Sequence, residues 1–180
     1  MSIKSLSSIA ALVIGIAACA GAPKTPAEQQ SLEARAEATL GSMKSRDPGL
    51  PGLLGSAYGY AVFPDIGKGG VVVGAAYGRG VLFEHGHATG YIELNQGSIG
   101  AQLGGQTFAE LIVFRDRFAV EKLKAGQFEL GANASAVVLT AGASGAANFT
   151  DGIAVFTVPQ GGLMAELSVS GQKLDFQPRG

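Results

Sequence analysis

Glycine sets the first limit on what this chain can fold into. Twenty-eight of 180 residues are glycine, and many stand between short apolar runs, as in Gly70-Val71-Val72-Val73-Gly74. The seven prolines do not join them in a low-complexity tract. The pattern suits many strands with tight turns, bulges and close backbone approaches. Hydrophobic residues make up 47% and charged residues 15%, which supports a packed core rather than a disordered chain. The length fits one domain of ordinary size.

Strands are expected at 59–63, 71–77, 80–84, 88–94, 98–106 and 110–114. Further ones are expected at 127–130 continuing into 135–140, then at 153–159, 163–170 and 173–176. His85-Gly86-His87 and Ser170-Gly171-Gln172 read as hairpin turns. A helix is expected over 26–46, with Thr25 as N-cap, Pro26 at its first position, Glu28 three residues after the cap and Leu32, Ala36, Leu40 and Met43 on its apolar face. Asp47-Pro48-Gly49 ends it, and 51–57 forms a further short helical segment. Residues 115–124 read as one helix, with Phe118 and Leu123 inward and Gly126 as its cap. The expected class is α+β: a β-rich, barrel- or sandwich-like body with an N-terminal amphipathic helix and one mid-chain helix.

The amino terminus carries a different kind of signal. Lys4 precedes an uncharged apolar run over residues 9–18. That is shorter than the roughly 18–20 residues a spanning helix needs, and it reads as a secretory signal. Ile16-Ala17-Ala18-Cys19 looks like a bacterial lipobox, in which the cysteine receives a diacylglyceryl group and becomes the first residue. Cys19 is the chain's one cysteine, so no internal disulfide forms. The expected organisation is a signal peptide at 1–18, a lipidated, solvated tether at 19–26 and a single domain at 27–180. Ala20 after the cysteine suits transfer to the outer membrane if the source is a diderm bacterium; otherwise the localisation is the cell envelope.

Ala57-Tyr58-Gly59-Tyr60-Ala61-Val62-Phe63-Pro64 is followed by Ile66-Gly67-Lys68-Gly69-Gly70 and Gly74. Gly97-Ser98-Ile99-Gly100-Ala101-Gln102-Leu103-Gly104-Gly105-Gln106 and Gly161-Gly162-Leu163-Met164-Ala165 come later, in order. Together these motifs resemble the SYLF domain family, over roughly residues 32–176. The resemblance implies a β-rich domain that binds lipid, and actin in fungal members. Bacterial members commonly follow a lipoprotein signal. Eukaryotic members bind phosphoinositide through a basic amphipathic helix, whereas here the helix at 26–46 sets Arg35, Lys44 and Arg46 against Glu28, Glu33 and Glu37. Membrane lipid is therefore the expected partner. Actin is not, because an exported bacterial protein does not meet it in its own cell.

Other motifs carry less. Gly67-Lys68-Gly69-Gly70 lacks the hydroxyl residue and upstream glycine of a phosphate loop. It reads as a glycine-rich turn, or as a place where Lys68 meets a lipid phosphate. His85 and His87 offer two imidazoles where a zinc site needs three or four ligands, so no metal is expected. Ser144 stands in a sequence whose Ala146 breaks the hydrolase elbow. No cofactor is implied, and a non-enzyme is expected. Asn133 and Asn148 match a glycosylation pattern too short to carry weight. Loss of Lys4 with the signal leaves 12 basic against 14 acidic residues, a formal −2. No nucleic acid is expected as a partner. Arg115, Arg117, Lys122 and Lys124 form the densest basic cluster and, with Lys68, are the head-group candidates; Asp116 and Glu121 lie among the cluster, so a solvated helix face is the competing reading. The alternative function is an envelope scaffold with a protein partner, using lipid only as a tether.

Overall fold

The computed structural model describes residues 21–70, 73–99, 104–131, 135–162 and 171–180. Cys19 and the expected strand at 163–170 lie outside them. Helix α1 (Pro26–Arg46) opens with the expected capping box: Thr25 Oγ1 accepts from the Glu28 N–H, and the Glu28 carboxylate accepts from the Thr25 N–H. This satisfies two of the donors a helix start leaves open. Leu32, Ala36, Leu40 and Met43 are the buried residues, one stripe at helical spacing.

A second helix, α2 (Leu50–Ser56), follows at once. Asp47 joins the two. Its carboxylate accepts from the N–H groups of Gly49, Gly142 and Ser144 at 2.9, 3.2 and 2.6 Å. The Ser144 amide above all holds that carboxyl down at about 2. Ser144 thus belongs to a structural joint, in the short 3-10 turn Ala143–Ala146, and its side chain is buried.

The strands are β1 (Gly59–Gly70), β2 (Val73–Glu84), β3 (His87–Ile99), β4 (Gly104–Phe114), β5 (Ala136–Val138), β6 (Ile153–Gly162) and β7 (Gln172–Pro178). They form one seven-stranded sheet in the order β5-β6-β4-β1-β2-β3-β7. Among the described strands only the β5–β6 pair is parallel. The class is the expected α+β, and the sheet is open, with β5 and β7 at its edges. The sheet has an apolar cluster on each face. One holds α1, α2 and residues such as Val62, Val81 and Leu111. The other holds Phe63, Ile66, Phe108, Ile112 and the third helix, α3 (Arg117–Lys124).

Several strand expectations change in length. From Val73 on, the segments at 71–77 and 80–84 belong to one strand, β2, with 71–72 outside the described residues. Of the stretch 98–106, residues 98–99 end β3 and residues 104–106 begin β4, with 100–103 outside the described residues. From 127 to 140 only β5 is a strand among the described residues, although Glu129 bridges Lys173. The Gly67–Gly70 stretch is not a turn. It continues β1, paired with β2 and β4 on either side. A bulge spans Pro64 and Asp65 and accommodates a proline within a central strand. The turn at His85-Gly86 holds: both residues have positive φ, 51° and 83°, the two-residue hairpin geometry that suits the twist of β2 and β3. Residues 21–23 are not a solvated spacer, since Ala22 is 3% exposed and Pro23 is buried.

Candidate functional site

Helix α3 is short and sharply delimited. Asp116 caps its start by accepting from the Ala119 N–H at 3.0 Å. At its end Gly126, with φ 68°, donates to the Leu123 carbonyl, and Gln127 donates to the Lys122 carbonyl. That pair of bonds is the left-handed glycine termination expected at Gly126. Ala119, Val120 and Leu123 are buried against the sheet.

Phe118 points the other way. It is 69% exposed, which overturns its expected inward placement. The reason is angular: Leu123 lies five positions on, about 140° around the helix from Phe118. Ala119, four before Leu123, takes the inward place. Phe118 shares its stripe with Lys122, also four residues on. The Lys122 Nζ stands 4.6 Å from the Phe118 ring centroid, a cation–π contact on the outer surface.

The basic candidates divide. Arg115 is exposed, with its guanidinium 4.1 Å from the Phe149 ring centroid. Arg117 is 75% exposed and reaches Glu121 at 3.5 Å. Neither Arg115 nor Lys122 has an ion pair among the described residues. Lys124 turns back to Glu84 at 2.7 Å. Burial opposes the Glu84 charge, but hydrogen bonds from Lys124 and Thr89 outweigh it and hold the carboxyl below its usual range. Lys124 is therefore occupied in pinning α3 to the β2–β3 hairpin. Lys68 is elsewhere, 5% exposed in β1 and nine residues from Gly59, where an added Cβ would come within 3.4 Å of Val120 of α3. At about 3.3 Å per residue that is ~30 Å along the strand. Its burial removes it from the exposed head-group set. Arg115, Arg117, Lys122 and Phe118 form one outward tip.

A cavity of about 160 Å³ opens beside this tip, lined by Ala119, Lys122, Phe128, Glu129, Thr150 and Asp151 among others. Its charge is mixed, with two carboxylates near one ammonium group. The tip thus offers cations and an aromatic ring to a surface, and the cavity a small recess of no strong sign. His85 sits on the hairpin turn, its ring edge-on to Tyr58 at 5.0 Å. No group of three or more potential metal ligands occurs among the described residues. None of the described helices is long and apolar enough to cross a membrane.

One polar cluster escapes a reading of spacing alone. Glu110 is fully buried in β4, beside Thr157 of β6 and opposite Phe63 of β1. Gln172 Nε2 donates to its Oε2 at 3.1 Å. Glu110 Oε1 and Thr157 Oγ1 have no partner among the described residues. Burial raises the Glu110 carboxyl to about 7, against a smaller lowering by the Gln172 bond. The signal was a lone charge inside the apolar run Phe108-Ala109-Glu110-Leu111-Ile112-Val113-Phe114.

A single open sheet with helices packed on both faces, one of them bearing a cationic–aromatic tip, defines the architecture. The family model described as Ysc84: Las17-binding protein actin regulator matches residues 95–178. The match runs from the end of β3 to the end of β7 and includes α3 and its tip. The match agrees with the resemblance to the SYLF domain family carried by the motifs at 97–106 and 161–165. No curated protein matches the chain.

Proposed function

We propose that this chain is a lipid-anchored protein of the bacterial envelope whose SYLF-type domain binds membrane lipid, with anionic head groups as its class of ligand. The observation that carries the reading is the α3 tip, where an exposed Phe118 stands with Lys122, Arg117 and Arg115 around it. An aromatic ring enters the interface while cations meet the head groups. Each basic residue near an anionic surface is worth about 1 kcal/mol, and burying a phenylalanine about 1.5–3 kcal/mol. The tip alone then supplies on the order of 5 kcal/mol, a dissociation constant of a few tenths of a millimolar. That is too weak to hold a protein at a membrane by itself, so the acyl chains on Cys19 supply retention and the tip supplies contact.

Glu129 and Asp151 in the adjoining cavity disfavour a multiply phosphorylated head group, as does the mixed charge of α1. The family description names actin regulation; an exported chain is separated from actin in its own cell, so that role is not assigned. The outer membrane is the expected site in a diderm source.

The tip is tested with the chain beginning at Gly21, which contains every described element. Phe118→Ser combined with Lys122→Glu is expected to weaken binding to phosphatidylglycerol vesicles at least tenfold, with an unchanged circular dichroism spectrum. Equal binding by the variant removes α3 from the lipid contact.

A further inference from the structure

The face of the sheet that α1 crosses is bare at the end where β1 leads into β2. Gly67 and Gly69 of β1, Ala75 of β2, Gly97 of β3, Gly105 of β4 and Gly161 of β6 are all exposed there. Gly69 pairs with Ala75 and Gly105, and Ala75 pairs with Gly97, so these four form one contiguous row; in the next row the exposed Thr107 stands between Gly67 and Gly161. At about 4.8 Å per strand this plateau is ~20 Å across.

Nothing among the described residues requires glycine at these positions. A Cβ at Gly67, Gly69, Gly97 or Gly161 would meet no atom within 4 Å, and at Gly105 only the Lys68 carbonyl at 3.9 Å. None of the five has a positive φ. Glycine in a strand interior is destabilising by roughly 0.5–1 kcal/mol, and β-branched residues suit such a surface better. The missing side chains therefore point to close approach by something outside the fold.

The start of the described chain lies beside this plateau. The Gly21 N–H donates to Tyr77 Oη at 3.2 Å, and Tyr77 pairs with Gly67 at the rim of the plateau. Cys19 is two residues before Gly21, within about 7 Å even if fully extended. We propose that the plateau is laid against the bilayer that holds Cys19, an inference that rests on the lipidation of Cys19 proposed above. The ladder bonds already satisfy the peptide groups between these strands, and no long side chains need to be desolvated, so the flat face sits flush on the head groups.

The α3 tip is then distal. Helix α3 packs on the other face of the sheet. Lys124 ties it to Glu84, seven residues along β2 from Tyr77, about 24 Å at 3.4 Å per residue. Phe118 and its cations thus face lipid other than that of the anchoring leaflet.

The test uses the lipidated protein in vesicles carrying Gly69→Cys, Gly97→Cys or Phe118→Cys. With Cys19 acylated, each variant has one free thiol. A membrane-impermeant maleimide is expected to label positions 69 and 97 at least tenfold more slowly than position 118, and detergent is expected to abolish the difference. Equal labelling in vesicles overturns the proposal. So does protection that persists in detergent and rises with protein concentration, which would show a second copy covering the plateau. The intact mass separates the two readings: a chain without the diacylglyceryl group refutes the anchor and this proposal together, whereas an acylated chain with reactive plateau thiols refutes only this proposal.

Discussion

Glu110→Gln is expected to stabilise the protein at pH 8 by about 3 kcal/mol, on the scale of 1.36 kcal/mol for each tenfold difference in proton affinity between the folded and unfolded chain. At pH 4.5 the substitution is expected to change stability little. Burial raises the Glu110 carboxyl from 4.5 to about 7. The folded state therefore holds this proton more tightly than the unfolded chain does. The stability linked to it is fully present below pH 4.5 and is lost as pH rises through about 7, because folding must then either keep a proton that the unfolded chain releases or bury a charge. Glutamine retains an acceptor for Gln172 Nε2 and cannot ionise. Urea unfolding of both proteins at the two pH values measures the difference. An equal midpoint at pH 8 would show that Glu110 is not held neutral by burial.

Cys19→Ala is expected to move the protein almost entirely from the membrane fraction to the soluble fraction. One myristoyl-length chain binds only marginally, but each buried methylene adds about 0.8 kcal/mol and a diacylglyceryl group brings two chains. The α3 tip supplies far less, so losing the thiol removes most of the membrane affinity. Fractionation with immunodetection, together with the intact mass, reads the outcome. A Cys19→Ala protein that stays with membranes would assign retention to the domain itself.

What was legible in the sequence was what local chemistry determines. The capping box at Thr25 and Glu28 fixed the start of α1, and its four-residue apolar stripe fixed the buried face. The glycine after Lys124 and Ala125 marked the end of α3. The cluster of Arg115, Arg117 and Lys122 was visible because one short segment carries it. What was hidden depends on distant partners. Lys124 is drawn off by Glu84, forty positions earlier. The glycines around Lys68 suggest a turn, whereas β1 continues through it beyond the bulge at Pro64 and Asp65, and the residue is buried. Hydrophobicity alone places Phe118 inward, whereas its five-residue spacing from Leu123 sets it on the outer surface. Glu110 was hidden because its neighbours Thr157 and Gln172 come from strands 47 and 62 residues later.

The proposed division of labour between Cys19 and α3 would let a nearly neutral domain do without a basic stripe. In that proposal the acyl chains retain it, and the tip has only to make a contact of about 5 kcal/mol. Flotation of the chain beginning at Gly21 on a density gradient tests that contact with the anchor removed. The chain is expected to rise with vesicles rich in phosphatidylglycerol at low salt, and to stay at the bottom with phosphatidylcholine vesicles. A chain that stays at the bottom with every lipid composition would contradict lipid binding by the domain and leave the lipid as a tether only.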